Sequence, residues 1–276
     1  MAIITLTSDF GYKDPSTAMV KGTILCELPN ANIVDISHDI SPFHIMEAAY
    51  VIKNAYKSFP KGSIHIISVD TEQTYNKKQI ALFMDGHYFI CANNGVLSLV
   101  ASEINPDKIV EINIQENKNP SFPTLDTFVK VACHIARGGS LDVIGKNVIS
   151  LEKLKAHKPI IYEQEQKIIA HIIYIDNYGN LVTNVSKKLF NQIGKGQTFI
   201  IDARSNKFTK IVASYSEVIK FDTENSNLNE SGKKIALFNT ASYLELAIYK
   251  SNPKTVGGAA SLFGLGLSDT VTIKFN

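Results

Sequence analysis

Apolar residues in the first half of the chain alternate between a period of two and a period of three to four. Ile3 to Thr7 is a β-rich run that breaks at Ser8-Asp9-Phe10-Gly11, and Met19 to Leu28 then has helical character until Pro29. Asn32 to Ile36 predicts a second strand. Ile45, Ala48, Ala49, Ile52, Ala55 and Tyr56 follow at three- and four-residue steps, predicting an amphipathic helix that stops near Phe59-Pro60. Ile64 to Val69 predicts a third strand. Ile80 to Met84 and Tyr88 to Ala92 flank Asp85-Gly86, the signature of a two-residue hairpin, so the sheet is expected to be mixed. Val96 to Ile104 reads as a helix, Ile109 to Ile114 as a strand, and Phe128 to Ala136 as a helix closed by Arg137-Gly138-Gly139. This is the pattern of an α/β layered domain.

The texture changes after about residue 145. Ser150 to Lys158 is polar and charged, Pro159 follows, and no long helical period appears beyond it. Short β-rich runs remain at Ile168 to Ile175, Leu181 to Val185, Phe199 to Ile201, Ile235 to Phe238 and Val271 to Phe275, separated by Gly, Asn and Ser clusters. The expected organisation is an α/β domain over residues 1–150, a linker over 151–166 and a small all-β, barrel-like domain over 167–276. Asp222 to Lys234 is expected to be a polar loop.

Composition agrees with this division and narrows the partners. A chain of 276 residues fits two domains, and 45% hydrophobic with 20% charged residues describes a folded globular protein. Lys+Arg 28 against Asp+Glu 26 leaves a net charge of +2, without the basic excess that binding to a nucleic-acid backbone relies on. A small-molecule partner is expected, with neither nucleic acid nor membrane. No apolar run approaches the ~20 residues of a membrane span, and the start lacks a basic region and a cleavage site, so a cytoplasmic protein is expected. Cys26, Cys91 and Cys133 are an odd count without C-x-x-C spacing and sit among apolar neighbours; all three read as buried, inert thiols. His134 beside Cys133 is set aside as a pair, because adjacent helix positions face different ways.

The common phosphate-loop, dinucleotide, zinc-protease and nucleophile-elbow signatures are absent, and no metal site is expected. What stands out is a set of carboxylates at strand ends, where open α/β sheets bind ligands: Asp9, Asp35 and Asp70. Asp9 is placed to accept from two vicinal hydroxyls, or else simply forms a turn with Gly11. Asp35 can pair with His38 three residues on. Asp70, ending an apolar run, is the better catalytic candidate. In the second domain Asp176-Asn177-Tyr178-Gly179-Asn180 is a dense polar turn beside one aromatic, suited to a heterocycle or, more plainly, to a hairpin.

Taken in order, these pieces resemble the S-adenosylmethionine hydroxide adenosyltransferases, a family related to fluorinating and chlorinating enzymes that use the same substrate. Ser8-Asp9-Phe10-Gly11 with Asp14-Pro15 and Lys21-Gly22 is similar to the family's T-D-F-G, D-P, K-G opening, and Asp35-Ile36-Ser37-His38 to its D-I-T-H. Ala92-Asn93-Asn94-Gly95-Val96-Leu97 resembles P-D-N-G-V-L with Asn93 in place of the acid. Asp176 to Leu181 with Thr183-Asn184 resembles D-R-F-G-N-L with T-N, and Asn239, Ser242 to Glu245 and Ala247 resemble N-S-x-G-Y-L-E-I-A. The resemblance implies that Asp9 holds the ribose hydroxyls, that Asp14 and Ser16 support the ligand, and that Phe43 and Phe122 line the nucleoside pocket. It further implies that Asp176 meets the methionine amino group, Tyr178 packs on the ligand and Asn180 reads adenine. It implies homotrimers with sites between the α/β domain of one subunit and the β domain of the next, and S-adenosylmethionine as substrate with no cofactor.

The implied reaction is attack of water or hydroxide at the ribose C5′, with methionine leaving as a neutral thioether. The family's hydrolytic members carry an Asp, an Arg seven residues later and a His. Here the Asp is Asp70, the Arg position holds Lys77, and the His position holds Pro123 within Ser121-Phe122-Pro123-Thr124-Leu125-Asp126. Lys keeps the charge of Arg but not its planar fork, and Pro has neither a titratable group nor an N–H. The nucleophile would be held by Asp70 with Lys77 or the Thr124 hydroxyl. Carboxylates are weak bases toward water, so the expectation is slow hydrolysis, an altered nucleophile, or binding of the nucleoside without turnover.

Overall fold

The computed structural model describes residues 2–102, 104–114, 121–218 and 231–276. The chain divides into two compact units, Met1–Ala156 and His157–Asn276.

The first unit is built on a seven-stranded sheet. Its strands are β1 (Ile3–Ser8), β2 (Asn32–Ser37), β3 (Ile64–Ser68), β4 (Gln79–Met84), β5 (His87–Ala92), β6 (Lys108–Ile112) and β7 (Gly145–Asn147), in the order β2-β1-β3-β5-β4-β6-β7. The β2, β1, β3 and β5 neighbours are parallel and the β5, β4, β6 and β7 neighbours antiparallel, which gives the mixed sheet expected from the hairpin signal. Asp85 and Gly86 both take positive φ, +52° and +77°, the condition for the tight turn that joins β4 to β5. Helices α1 (Ser16–Glu27), α2 (Ile45–Ala55), α3 (Val96–Val100) and α4 (Val129–Ala136) cover the sheet. Ile4, Leu6, Ile64 and Ile66 pack with Val20, Ile24 and Val129 on one face. Ile67, Ile80, Leu82 and Phe89 pack with Ala48, Ile52 and Leu97 on the other. Burying each Val, Leu, Ile or Phe side chain among these contributes about 1.5–3 kcal/mol.

Strand β1 is flanked by β2 and β3, the helix leaving β1 lies on one face and the helix leaving β2 on the other, so the chain winds in opposite senses from the centre of the sheet. A crevice opens at the carboxyl ends of strands at such a switch point. A π-helical turn, Thr124–Phe128, leads into α4. Cys91 and Cys133 are buried, with burial pushing the Cys133 thiol up to about 11. Cys26 is exposed, against expectation: α1 buries Thr17, Val20 and Ile24, a stripe that Cys26 does not share. His134 Nε2 lies 3.1 Å from the Ser140 carbonyl oxygen.

The second unit is an antiparallel sheet that is nearly closed and barrel-like. Its strands are β8 (Ile160–Tyr162), β9 (Lys167–Ile175), β10 (Leu181–Ser186), β11 (Phe199–Ala203), β12 (Asn206–Phe208), β13 (Lys234–Phe238), β14 (Tyr243–Ile248) and β15 (Thr270–Phe275). They run β12-β11-β15-β9-β10-β14-β13, with β8 on β9. Ile168, Ala170 and Ile172 of β9 point inward at period two, against Leu244, Leu246, Val271 and Ile273. Two short helices that periodicity did not resolve, α5 (Lys187–Gly194) and α6 (Ala259–Phe263), bring Phe190 and Phe263 into that core. Of residues 151–166, Glu152 and Leu154 donate backbone hydrogen bonds to Asn93 Oδ1 and Ser98 Oγ, and 160–162 form β8. The polar loop expected over 222–234 lies outside the described residues as far as 230, and Lys234 begins β13.

Candidate functional site

In the first unit, the loops after β1, β2 and β3 and the turn before α4 surround an open cavity of about 360 Å³ lined by Asp9, Asp14, Ser16, Phe43, Asp70, Phe122 and Pro123. Asp9 follows β1 directly. Its Oδ2 accepts the Phe43 N–H at 2.9 Å, which holds Phe43 in a left-handed conformation (φ +62°) with its ring largely exposed. Phe10 and Phe122 meet edge to face with ring centres 5.3 Å apart. These side chains put an acceptor group and apolar walls on one cavity, which is what a sugar with an attached heterocycle requires.

Asp70 also sits in the left-handed region, at φ +48°, where Asp is tolerated better than most residues. The Asn94 amide fastens this turn by donating to the carbonyls of Val69 (2.9 Å) and Asp70 (3.2 Å). Lys77 is outside the cavity lining, yet its Nζ reaches to 2.6 Å from Asp70 Oδ1. The loop between them turns back on itself: Thr74 N–H donates to the Lys77 carbonyl, and Lys77 N–H donates to Thr74 Oγ1. Thr124, one residue past Pro123, is buried, and its hydroxyl has no hydrogen-bond partner among the described residues. Sequence reasoning gave Asn94 no role, although its motif was visible. Thr71 and Glu72 also line the cavity.

The second unit holds a separate pocket of about 330 Å³ lined by Asp176, Tyr178, Asn180, Tyr215, Tyr249 and Lys250. Asp176 organises the turn: Oδ1 accepts from the Tyr178 and Asn180 N–H groups (2.9 and 2.8 Å), and Oδ2 accepts from Asn180 Nδ2 (2.9 Å). Both of its oxygens therefore serve the turn. Tyr178 is two-thirds exposed, and the buried Asn180 Oδ1 is left without a partner among the described residues. Gly179 has φ +73°, and a Cβ there would come within 2.9 Å of Gly258 Cα, so the turn needs glycine twice over. Glu245, only 3% exposed, accepts from the Tyr215 hydroxyl. Burial pushes the Glu245 carboxyl up, with the Asp176 charge adding to it, and burial followed by the Glu245 contact raises the Tyr215 phenol. Neither residue was assigned a role from sequence; an acidic residue inside the apolar run Tyr243–Ile248 was the available signal. Among the described residues, no group of three or more His, Cys, Asp or Glu is placed to hold a metal ion, and no helix is long and apolar enough to cross a membrane.

Comparison with known proteins gives a consistent result. Residues 4–145 match the model of the SAM hydroxide adenosyltransferase N-terminal domain, and residues 170–272 that of the C-terminal domain. The chain is 28% identical over 256 residues to the (R)-S-adenosyl-L-methionine hydrolase of Methanocaldococcus jannaschii, covering 91% of this chain and 89% of the relative. It is 24% identical over 278 residues to the fluorinase of Nocardia brasiliensis, covering 89% of each. A crystal structure of an uncharacterized conserved protein from Thermotoga maritima superposes with a TM-score of 0.84 at 26% identity, over 99% of this chain and 100% of that one.

Proposed function

We propose that this chain, which belongs to the SAM hydroxide adenosyltransferase family, hydrolyses S-adenosyl-L-methionine to adenosine and L-methionine. The observation that carries the reading is the meeting of Asp9 and Asp70 in one cavity at the switch point of the sheet. Asp9, with one oxygen taken by Phe43 N–H, keeps lone pairs for the ribose hydroxyls. Phe43 and Phe122 wall the nucleoside, and Asp14 and Ser16 support it from the start of α1. Asp70 orients a water toward C5′ and receives its proton as the C5′–O bond forms. The C5′–S bond breaks with its electrons passing to sulfur, so methionine leaves uncharged. The sulfonium is a good leaving group, so the protein's task is alignment and exclusion of bulk water. Lys77 fixes the Asp70 carboxylate, and the Thr124 hydroxyl, buried next to Pro123 and outside the cavity lining, is the further partner this reading gives the water.

The second pocket supplies the other half of ligand recognition in this reading. Asp176 attracts the methionine ammonium, Tyr178 packs on the ligand and the Asn180 carboxamide reads adenine. One site then needs an α/β unit and a β unit. A homotrimer, with each site formed between neighbouring subunits and working in the cytoplasm, is part of the same proposal. The substrate's sulfonium supplies the leaving group, and this reading needs no cofactor.

A second reading, a nucleoside-binding homologue without turnover, is favoured by one observation: Pro123 lines the cavity where the resemblance places a histidine. Incubating the purified chain with S-adenosylmethionine and measuring adenosine by chromatography decides between them. Hydrolysis predicts adenosine that disappears in Asp70→Asn. Micromolar binding without product establishes the binder, and absence of binding overturns both.

A further inference from the structure

Beside the cavity lies a buried polar cluster that the reaction does not use directly. Ser8, the last residue of β1, is 2% exposed, and His38, just past β2, is 3% exposed. Ser8 Oγ lies 2.6 Å from His38 Nδ1 and accepts the Phe10 N–H at 3.3 Å. On the far side of the ring, His38 Nε2 is 3.2 Å from Asp35 Oδ1, a contact off the line of a hydrogen bond. Asp35 Oδ2 takes the Lys21 ammonium at 2.5 Å and the Tyr12 hydroxyl at 3.3 Å. Burial alone would raise the Asp35 carboxyl, but Lys21 and His38 outweigh it and hold it below the usual range.

Three of these contacts reach the Asp9 segment, through Ser8, Phe10 and Tyr12, and the His38–Asp35 and Lys21–Asp35 contacts stand behind them. Ser8 precedes Asp9 and Phe10 follows it, and Tyr12 lies three residues on. Two backbone bonds run between the same segments, from Gly11 N–H to the His38 carbonyl (2.8 Å) and from Ile40 N–H to the Ser8 carbonyl (3.3 Å). Ser8 Oγ, with one proton and two lone pairs, holds the Phe10 N–H and the His38 ring nitrogen at once, so it ties the loop after β1 to the segment after β2. Burying a serine, a histidine and part of a carboxylate at one strand end is a poor way to gain stability, since apolar side chains of similar volume would serve as well. It is a good way to fix one backbone turn, because each polar partner accepts only one geometry.

We propose that Ser8, His38 and Asp35 are positioning residues that set the Asp9 carboxylate for the ribose diol. This rests on the reading of Asp9 given above. The test compares two probes on the full chain by calorimetry: adenosine, and 2′,3′-dideoxyadenosine, which lacks the diol. The wild-type chain is expected to bind adenosine about tenfold or more tightly, the effect of hydrogen bonds to a charged group. Ser8→Ala and His38→Gln are expected to shrink that ratio at least threefold while leaving the dideoxyadenosine affinity in place. Ser8→Thr, which keeps the hydroxyl, is expected to retain the ratio. Equal weakening of both probes, or an unchanged ratio in Ser8→Ala and His38→Gln, overturns the inference. If Asp9→Asn abolishes the preference while those two variants keep it, the Asp9 reading stands and this inference alone fails. If the wild-type chain shows no preference, the Asp9 reading falls and takes the inference with it.

Discussion

Lys77 holds its ammonium 2.6 Å from the Asp70 carboxylate, with both side chains partly shielded from water and with Asp70 in a left-handed backbone conformation. They are seven positions apart in the chain, and neither strand nor helix dictates their meeting. The Thr74–Lys77 turn does so.

If this pair orients the nucleophile, Lys77→Met is expected to lower kcat for adenosine release about tenfold or more, with a smaller change in KM. Lys77→Arg keeps the charge and is expected to retain most of the activity. Steady-state kinetics on the two variants check this, and equal loss in both would show that charge is not what matters.

His65 and His87 form a buried pair, with His65 Nε2 3.2 Å from His87 Nδ1 and His65 Nδ1 2.7 Å from Thr5 Oγ1. Burial lowers the His65 pKa to about 3, and His87 is lowered for the same first reason. The unfolded chain therefore binds more protons than the folded one below pH 6.5. The stability from a neutral His65 is complete above that value and is lost as pH falls toward about 3. Urea unfolding is expected to show a loss of about 1–2 kcal/mol between pH 6.5 and 5. His65→Gln should flatten that slope.

Gly179 and Gly196 both have positive φ, +73° and +81°, but only Gly179 faces a close neighbour, the Gly258 backbone. Gly196→Ala is expected to lower stability by about 1 kcal/mol, and Gly179→Ala by roughly 2–3 kcal/mol, because it adds a backbone clash to the same strain. Thermal unfolding of the two variants measures the difference, and Gly179→Ala alone is expected to weaken ligand binding through the Asp176–Asn180 turn.

Glu245 is buried with its pKa raised, so the folded state binds its proton more tightly than the unfolded state. Its contribution to stability is greatest below the ordinary value of 4.5 and declines as pH rises through the folded value. Glu245→Gln removes the charge while keeping an acceptor for the Tyr215 hydroxyl. The variant is expected to match the wild type at pH 4 and to gain stability relative to it as pH rises toward 8, by denaturant unfolding.

Much of this protein follows from local pattern. Period-two and period-3.6 runs mark the strands and helices of the first unit because each element must turn an apolar face to the sheet or to its cover. Asp85-Gly86 announces a hairpin since few residues accept two successive positive φ angles. Asp9 and Asp70 are legible as strand-end carboxylates. The short helices α5 and α6 escaped that reading because one or two turns carry too little period, and their apolar residues are visible as a face only against the barrel core.

Tertiary structure decided what distance along the chain conceals. Ser8 and His38 are thirty residues apart and Thr5 and His65 sixty, and only parallel strand pairing brings each pair together. Apolar neighbours in sequence suggested that Cys26 was buried, but the rotation of α1 against its partners leaves it exposed. Sequence by itself determined the layered α/β unit, the β unit that follows and the family's motifs, for these depend on residue type and local period. Which carboxylate meets the cavity, which also fastens its own turn and which is buried beside a tyrosine depended on packing, because burial and hydrogen bonding are properties of neighbours in space.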